Sequence, residues 1–430
     1  MITDIYQKYS ECNFQVSTDT RKIKNSDLFI ALKGPNFNAN KLAKEALNKG
    51  AKYAIIDDEN YYIDKRTILV KDCLSTLQEL ARHHRKQIDI PVIGITGSNG
   101  KTTTKELIGA VLKEKYKVLI TEGNLNNHIG VPLTLLKLRH SHNIAVIEMG
   151  ASKKGDIKEL VDICLPNYGI ITNIGIAHIE GFGSFKNVLS TKKELFDFLN
   201  KNNGIIFCNY DDDILKENLP AKNQRLFYSK NKGDITGKII SHNPFVNFKW
   251  KSNSYSSEII NTQLVGEYNF YNILAAICIG NYFKLDTKLI NKAIIEYKPS
   301  NNRSQLLKTN NNTIIVDCYN ANPSSTLNAL NSFMNIEAKN KMVILGDMLE
   351  LGHISIKEHQ EIADLLEVKN IKSYLVGGEY CKSNTKYKCF ENVNLFIEYI
   401  KTKNKITDFT ILLKGSRGIK LETILEEKIL

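Results

Sequence analysis

The stretch PVIGITGSNGKTTTKELI, residues 91–108, constrains the chain more than any other. A short apolar strand, Pro91 to Ile95, runs into a glycine loop, and Leu107, Ile108, Val111 and Leu112 then repeat at helical spacing. Strand, glycine loop and helix make the context of a phosphate cradle, in which Gly97 and Gly100 let the backbone turn N–H groups inward and the helix N-terminus adds partial positive charge. The strict phosphate-loop pattern asks for glycine at 95, where this chain has Ile95. Lys101 is expected to reach the β- and γ-phosphates of ATP, and the Thr102 hydroxyl to bind Mg²⁺.

The surroundings fit that start. The apolar runs VIGIT, KVLIT, IAVIEMG and YGIITNIG alternate with helix-like segments, as in a parallel sheet covered on both faces. At 430 residues the chain exceeds one core, and three segments separate by pattern. Residues 1–88 read as a small α/β domain ending in the helix LSTLQELARHHRKQ, which leads out of it. Residues 89–299 form the central domain, with a mostly parallel sheet; residues 201–262 are less regular, and NPFVNFKWKSNSYSSEII suggests a few antiparallel strands. KPSNNRSQLL reads as a hinge into a third, Rossmann-like α/β domain, residues 300–430, in which TIIVDCYN, KMVILGDM, SYLVGG and DFTILLKGSRG alternate with helices.

Composition narrows the function classes. With 42% hydrophobic and 24% charged residues the chain reads as soluble and cytoplasmic; the N-terminus lacks a signal-peptide pattern and no apolar run suits a membrane span. Eight cysteines without CxxC or zinc-like spacing are expected to be reduced, mostly buried thiols. The net charge of +12 is spread along the whole chain, which suits a small anionic substrate better than nucleic acid.

Further oxygen ligands for a metal–phosphate site belong at the C-terminal ends of the strands. Glu148 ends one apolar run, and His178 and Glu180 follow another.

These residues, with motifs from every segment, resemble the Mur ligases, ATP-dependent amide-forming enzymes of peptidoglycan precursor synthesis. TGSNGKT (96–102) matches the family's own form of the loop, which accounts for Ile95. The other matches are EGNLNNHIGVPLTLL (122–136), AVIEMGAS (145–152), NIGIAHIEGFGS (173–184), KKELF (192–196), GEYNFYNILAA (266–276), VDCYNANPSS (316–325), LGDMLELG (345–352) and LLKGSRG (412–418). The last three motifs are most similar to the branch that joins D-alanyl-D-alanine to UDP-N-acetylmuramoyl-tripeptide through an acyl phosphate. The branch adding the third amino acid and folylpolyglutamate synthase are more distant alternatives. From other classes, a basic nucleic-acid ATPase and a nucleotide-binding scaffold stand as rivals.

The resemblance implies that Gly97, Ser98, Asn99, Gly100, Lys101, Thr102 and Thr103 hold the triphosphate, that Asn269 and Asn272 lie on the adenine side, and that Arg303, Asp317, Tyr319 and Asn320 complete the ATP site from the third domain. Thr102, Glu148 and His178 are implied as magnesium ligands, with Lys101 and His178 serving the chemistry. Lys192 corresponds to a lysine that CO₂ carbamylates, chosen over Lys193 because two residues then precede the Leu-Phe pair. A lysine with an ordinary pKa of ~10.4 is almost wholly protonated at pH 7, so only a desolvated pocket would permit that reaction. Thr20, Arg21 and Asn127 are implied on the UDP-sugar side, although NFNANKLAKEA departs from the family's pattern by having Asn40 for histidine and Leu42 for phenylalanine. Closure of the third domain on the second, in a monomer, is expected.

Overall fold

The computed structural model describes residues 1–403 and 406–430. It holds three principal sheets, each within one of the expected segments. The first is a four-stranded parallel sheet of Val16–Ser17, Leu28–Ile30, Tyr53–Ile56 and Thr67–Leu69. In the second, the strand Val92–Thr96 lies between Ile144–Glu148 and Tyr168–Ile171, so the loop that follows it opens mid-sheet at the carboxyl edge. In the third, Thr410–Lys414 lies between Thr313–Asp317 and Lys341–Gly346, and all strands are parallel except the first hairpin, Gln305–Lys308 with Thr313–Asp317. The α/β reading and the three-sheet division agree with the sequence.

The region 201–262 differs in part. Its first three strands, Ile205–Asn209, Arg225–Ser229 and Ile235–Ser241, continue the parallel sheet, and only from Phe245–Ser252 does the pairing turn antiparallel. The cause is visible in the burial. Arg225–Ser229 and Ile235–Ser241 are only partly covered, so they lack the continuous apolar run that marks a doubly covered parallel strand.

One buried core runs without a break from the first domain, through the helix Cys73–Gln87, into one face of the central sheet. That helix therefore joins two domains as well as leading out of one. On the other face, the largely apolar and buried helix Asn269–Tyr282 packs against the helix Lys101–Lys113. In the hinge, Asn301, Asn302 and Ser304 all have positive φ, between 51° and 60°, a local reversal that polar residues tolerate better than branched ones.

The thiol expectation is corrected at one pair. Cys381 and Cys389 form a disulfide, with Cα atoms 5.4 Å apart, because the turn after the strand Lys372–Val376 folds back beside the neighbouring strand Lys388–Phe390. Sequence spacing gave no sign of it. The other six cysteines are buried and free. Among the described residues no helix is long and apolar enough to cross a membrane.

Candidate active site

Ile95 is fully buried in the central strand, so the backbone turns only at Gly97 and Gly100. Gly97 has φ +145°, and a Cβ there would lie 2.0 Å from Thr172 Oγ1; Gly100 has φ +78°, and a Cβ would meet Asn272 Oδ1 at 2.8 Å. The loop is pinned from the strand beside it. Ser98 N–H donates to the Asn173 carbonyl (3.0 Å), Asn99 N–H to Asn173 Oδ1 (3.0 Å), and Thr172 Oγ1 to the Asn99 carbonyl (2.6 Å).

The first helical bond runs from Thr104 N–H to the Gly100 carbonyl, leaving the N–H groups of Gly100, Lys101, Thr102 and Thr103 without partners among the described residues. The open amides are thus those of the first helical turn, while the Ser98 and Asn99 amides before it hold the loop. Lys101 Nζ folds back to the carbonyls of Gly97 (2.7 Å) and Ser98 (3.1 Å). Burial lowers its pKa; the Glu148 carboxylate opposes that shift and the Arg303 guanidinium adds to it.

Glu148 ends the neighbouring strand, almost wholly buried. Its Oε1 accepts from Asn126 Nδ2 (2.8 Å) and from the Thr102 hydroxyl (3.2 Å). Its Oε2 has no hydrogen-bond partner among the described residues; the buried Lys105 ammonium is 3.9 Å away and donates instead to the Thr121 carbonyl at 2.8 Å. A buried carboxylate oxygen left open beside a hydroxyl is a donor set that fits a hard divalent cation.

His178 caps the short helix Ile179–Phe182 with φ 53°, and its Nδ1 pairs with the carboxylate of Glu350 from the third domain. That contact holds the Glu350 carboxyl below its ordinary range. Lys192, in the helix Phe185–Lys201, is buried and makes no hydrogen bond or ion pair among the described residues; its ammonium lies 5.7 Å from the centre of the Phe182 ring. Burial, reinforced by Lys101, lowers its pKa well below the ordinary lysine value. Lys193 instead points to Asp197 at 3.1 Å on the surface.

The third domain supplies the opposite wall. Strand register sets Asp317 beside Lys414, whose buried ammonium donates to Asp317 Oδ2 (2.8 Å) and to the Asn320 carbonyl (3.2 Å). The Arg303 guanidinium lies 3.7 Å from the Tyr319 ring centre and that of Arg417 5.6 Å. Across the gap, Asn322 Nδ2 donates to Asn99 Oδ1 (2.7 Å) and Asn99 Nδ2 to Ser324 Oγ (3.2 Å), tying the loop to the NANPSS turn.

Between these walls lies a cavity of about 900 Å³. Of the residues expected from the sequence, 98–103, Asn127, Glu148, His178, Asn269, Asn272, Arg303, Asp317, Tyr319 and Asn320 line it. Gly97, Lys192, Thr20 and Arg21 do not line it. Thr20 is buried in its own turn and the Arg21 guanidinium is forked onto Asp19 at 2.8 and 2.9 Å. Asn269 and Asn272 are bonded to each other (2.9 Å), to the Val265 carbonyl and to the Thr104 hydroxyl, which fixes the entry of their helix. Asn40 is fully buried and bonded to Asn38 and Asp57. Glu350, Asn322, Lys414, Arg417 and Asn126 lie inside the matched motifs and Lys105 just after the glycine loop, but no local pattern in the sequence singles them out.

Comparison with known proteins agrees in extent and order. Residues 95–280 match the Mur ligase middle domain and residues 302–417 the Mur ligase, glutamate ligase domain. The UDP-N-acetylmuramoyl-tripeptide–D-alanyl-D-alanine ligase of Bacillus subtilis (strain 168) is 33% identical over 96% of this chain and 93% of its own. A crystal structure of MurF from Acinetobacter baumannii superposes with a TM-score of 0.86 at 30% identity, covering 96% of this chain and 93% of that one. The MurF ligase of Thermotoga maritima in complex with ADP gives 0.86 at 27%, covering 96% and 97%. With both family domains matched in order and relatives aligned over nearly the full length, this chain belongs to the Mur ligase family.

Proposed function

We propose that this Mur ligase uses ATP to join D-alanyl-D-alanine to UDP-N-acetylmuramoyl-tripeptide, giving the pentapeptide precursor of peptidoglycan with release of ADP and phosphate. The observation that carries the reading is the single cavity between a phosphate-type loop and the NANPSS and LGDMLELG segments, in a chain whose full-length relatives bear that ligase name. A MurF ligase solved with ADP supports ATP as the energy source.

In this mechanism an oxygen of the tripeptide carboxylate attacks the γ-phosphate, the P–O bond to ADP breaks, and an acyl phosphate results. The free amine of D-alanyl-D-alanine then attacks the acyl carbon, the amide C–N bond forms as the C–O bond to phosphate breaks, and the nitrogen gives up a proton. Lys101 leaves the Gly97 and Ser98 carbonyls for the phosphates, spreading the charge that develops there. The open amides of residues 100–103 hold phosphate oxygens, and Arg303 reaches them across the hinge. Asp317, Tyr319 and Asn320 close the site over the nucleotide, and exclusion of water protects the acyl phosphate.

Thr102, Glu148 and His178 are the residues that would hold Mg²⁺, which when bound neutralises triphosphate charge. The partnerless Oε2 of Glu148 supports that role. Carbamylation of Lys192 is supported by its burial, which favours the neutral amine that CO₂ requires. Thr20, Arg21 and Asn127 are assigned to the UDP-sugar side, with domain boundaries near residues 88 and 299 and a cytoplasmic monomer as the working form. Incubation with ATP, Mg²⁺, D-alanyl-D-alanine and tripeptides ending in lysine or diaminopimelate is expected to yield a pentapeptide by mass; no such product with either tripeptide would sink the reading.

A further inference from the structure

The LGDMLELG loop has no part in the reaction as written, yet it is held with unusual care. Asp347 accepts the N–H groups of Glu379 and Tyr380, both at 2.9 Å. The buried His359 accepts the Met348 N–H on Nε2 at 3.0 Å, while its Nδ1–H donates to the Ser355 carbonyl at 2.7 Å. Leu349 N–H donates to Ser416 Oγ at 3.0 Å. A loop fixed at three successive residues presents the fourth, Glu350, to the central domain.

There Glu350 meets the His178 segment at two points. Its carboxylate lies in ion-pair contact with Nδ1 of the His178 ring, and its backbone carbonyl accepts the N–H of Glu180 at 3.2 Å. Both partners are non-glycine residues with left-handed backbone, φ 65° for Glu350 and 53° for His178, a conformation that persists where the surroundings impose it and that concentrates at working sites. A carboxylate set against Nδ1 favours the tautomer that carries its proton on that nitrogen and leaves the lone pair on Nε2.

We infer that Glu350 is a positioning residue of the third domain that fixes the Nδ1–H tautomer and the orientation of His178, so that His178 is ready to serve the phosphate and cation side of the cavity only when the third domain is docked. The inference rests on the proposed ligase site and adds a link between docking and its assembly. A carboxylate bonded to the far nitrogen of a ligating histidine commonly changes cation affinity by about 10- to 100-fold. Here that carboxylate comes from a different domain.

The test compares full-length wild type with Glu350→Gln. In the presence of ADP, Mn²⁺ binding followed by electron paramagnetic resonance is expected to weaken about tenfold in the variant, with ADP affinity in the absence of metal within about twofold. In the ligase assay kcat is expected to fall about tenfold or more while the KM values for ATP and tripeptide move less than about threefold. Unchanged Mn²⁺ affinity and kcat would overturn the inference. If Glu350→Gln does not fold, ¹⁵N spectra of the wild-type histidines decide, with His178 assigned by the signal lost in His178→Asn: an Nδ1–H tautomer is expected, and an Nε2–H tautomer overturns the proposal. A wild type that makes no pentapeptide would reject the ligase reading while leaving the Mn²⁺ and tautomer results independent of it.

Discussion

Lys192 and Lys193 are adjacent in sequence, yet their surroundings are opposite. One is buried beside Phe182 without a partner among the described residues, and the other is part of an exposed pair with Asp197. If Lys192 serves the cation site as proposed, Lys192→Ala is expected to lower ligase turnover by about 100-fold. Lys193→Ala removes an exposed pair of the kind worth about 0–1 kcal/mol and should leave turnover within about twofold. Phosphate-release kinetics on both variants check this, and equal effects would reverse the choice of lysine. A second contrast concerns Lys414. Lys414→Met strands Asp317 next to the cavity, and urea unfolding is expected to lose about 3 kcal/mol, the cost of breaking a largely buried pair. Lys101, Thr102 and Glu148 were legible because local pattern carries them: a glycine loop before a helix and an acid at the end of an apolar strand. Lys414 and Glu350 were not, because each acts on a partner far along the chain, Asp317 and His178, that only strand register and domain docking bring near.

Elements were legible where they are covered on both sides. The parallel strands Val92–Thr96, Ile144–Glu148 and Tyr168–Ile171 are largely buried apolar runs, but Arg225–Ser229 and Ile235–Ser241 are partly exposed, and their direction depends on neighbours that their own residues do not specify. The helix Pro323–Met334 carries the clearest element-level prediction. Asn322 caps it, accepting Ser325 N–H at 2.9 Å while Ser325 Oγ returns a bond to Asn322 N–H at 3.1 Å, and the same side chain donates to Asn99 of the phosphate loop. Capping and bridging are separable by substitution. Asn322→Ser preserves a good cap but is too short to reach Asn99, whereas Asn322→Ala removes both. Melting should show Asn322→Ala less stable by about 1 kcal/mol and Asn322→Ser nearly unchanged, with KM for ATP raised several-fold in both. A normal KM in both variants would mean that the amide bridge does not help to shape the nucleotide site.

For the whole molecule, three segments are legible from pattern, but the way the first is fastened to the second is not. The helix Cys73–Gln87 was expected as an exit; it is the middle of a joint. Tyr9 donates its hydroxyl to the Leu136 carbonyl, and Arg139 donates to the Phe14 carbonyl at 2.6 Å. His84 sits between the domains, its Nε2–H donating to the Leu138 carbonyl at 3.0 Å and its Nδ1 accepting from the Tyr6 hydroxyl at 3.1 Å. Burial pushes its pKa down to about 4, with Arg139, His140 and His83 adding positive charge nearby and the Leu138 carbonyl opposing the shift. An unfolded histidine titrates near pH 6.5, so between about 4 and 6.5 the unfolded chain binds the extra proton and the folded one does not. The stability that the neutral ring permits is therefore fully present above about pH 6.5 and is lost as the pH falls through about 4. The full loss is on the order of 3 kcal/mol. His84→Phe forfeits both hydrogen bonds at every pH, a constant offset, but cannot take up the proton. Carboxylates titrating in the same range act on both proteins, so the difference between them isolates His84. Urea midpoints of wild type and His84→Phe, measured from pH 4 to 8, should therefore run parallel above about 6.5 and converge below it; curves that stay parallel down to pH 4 would show that the joint does not exclude the proton.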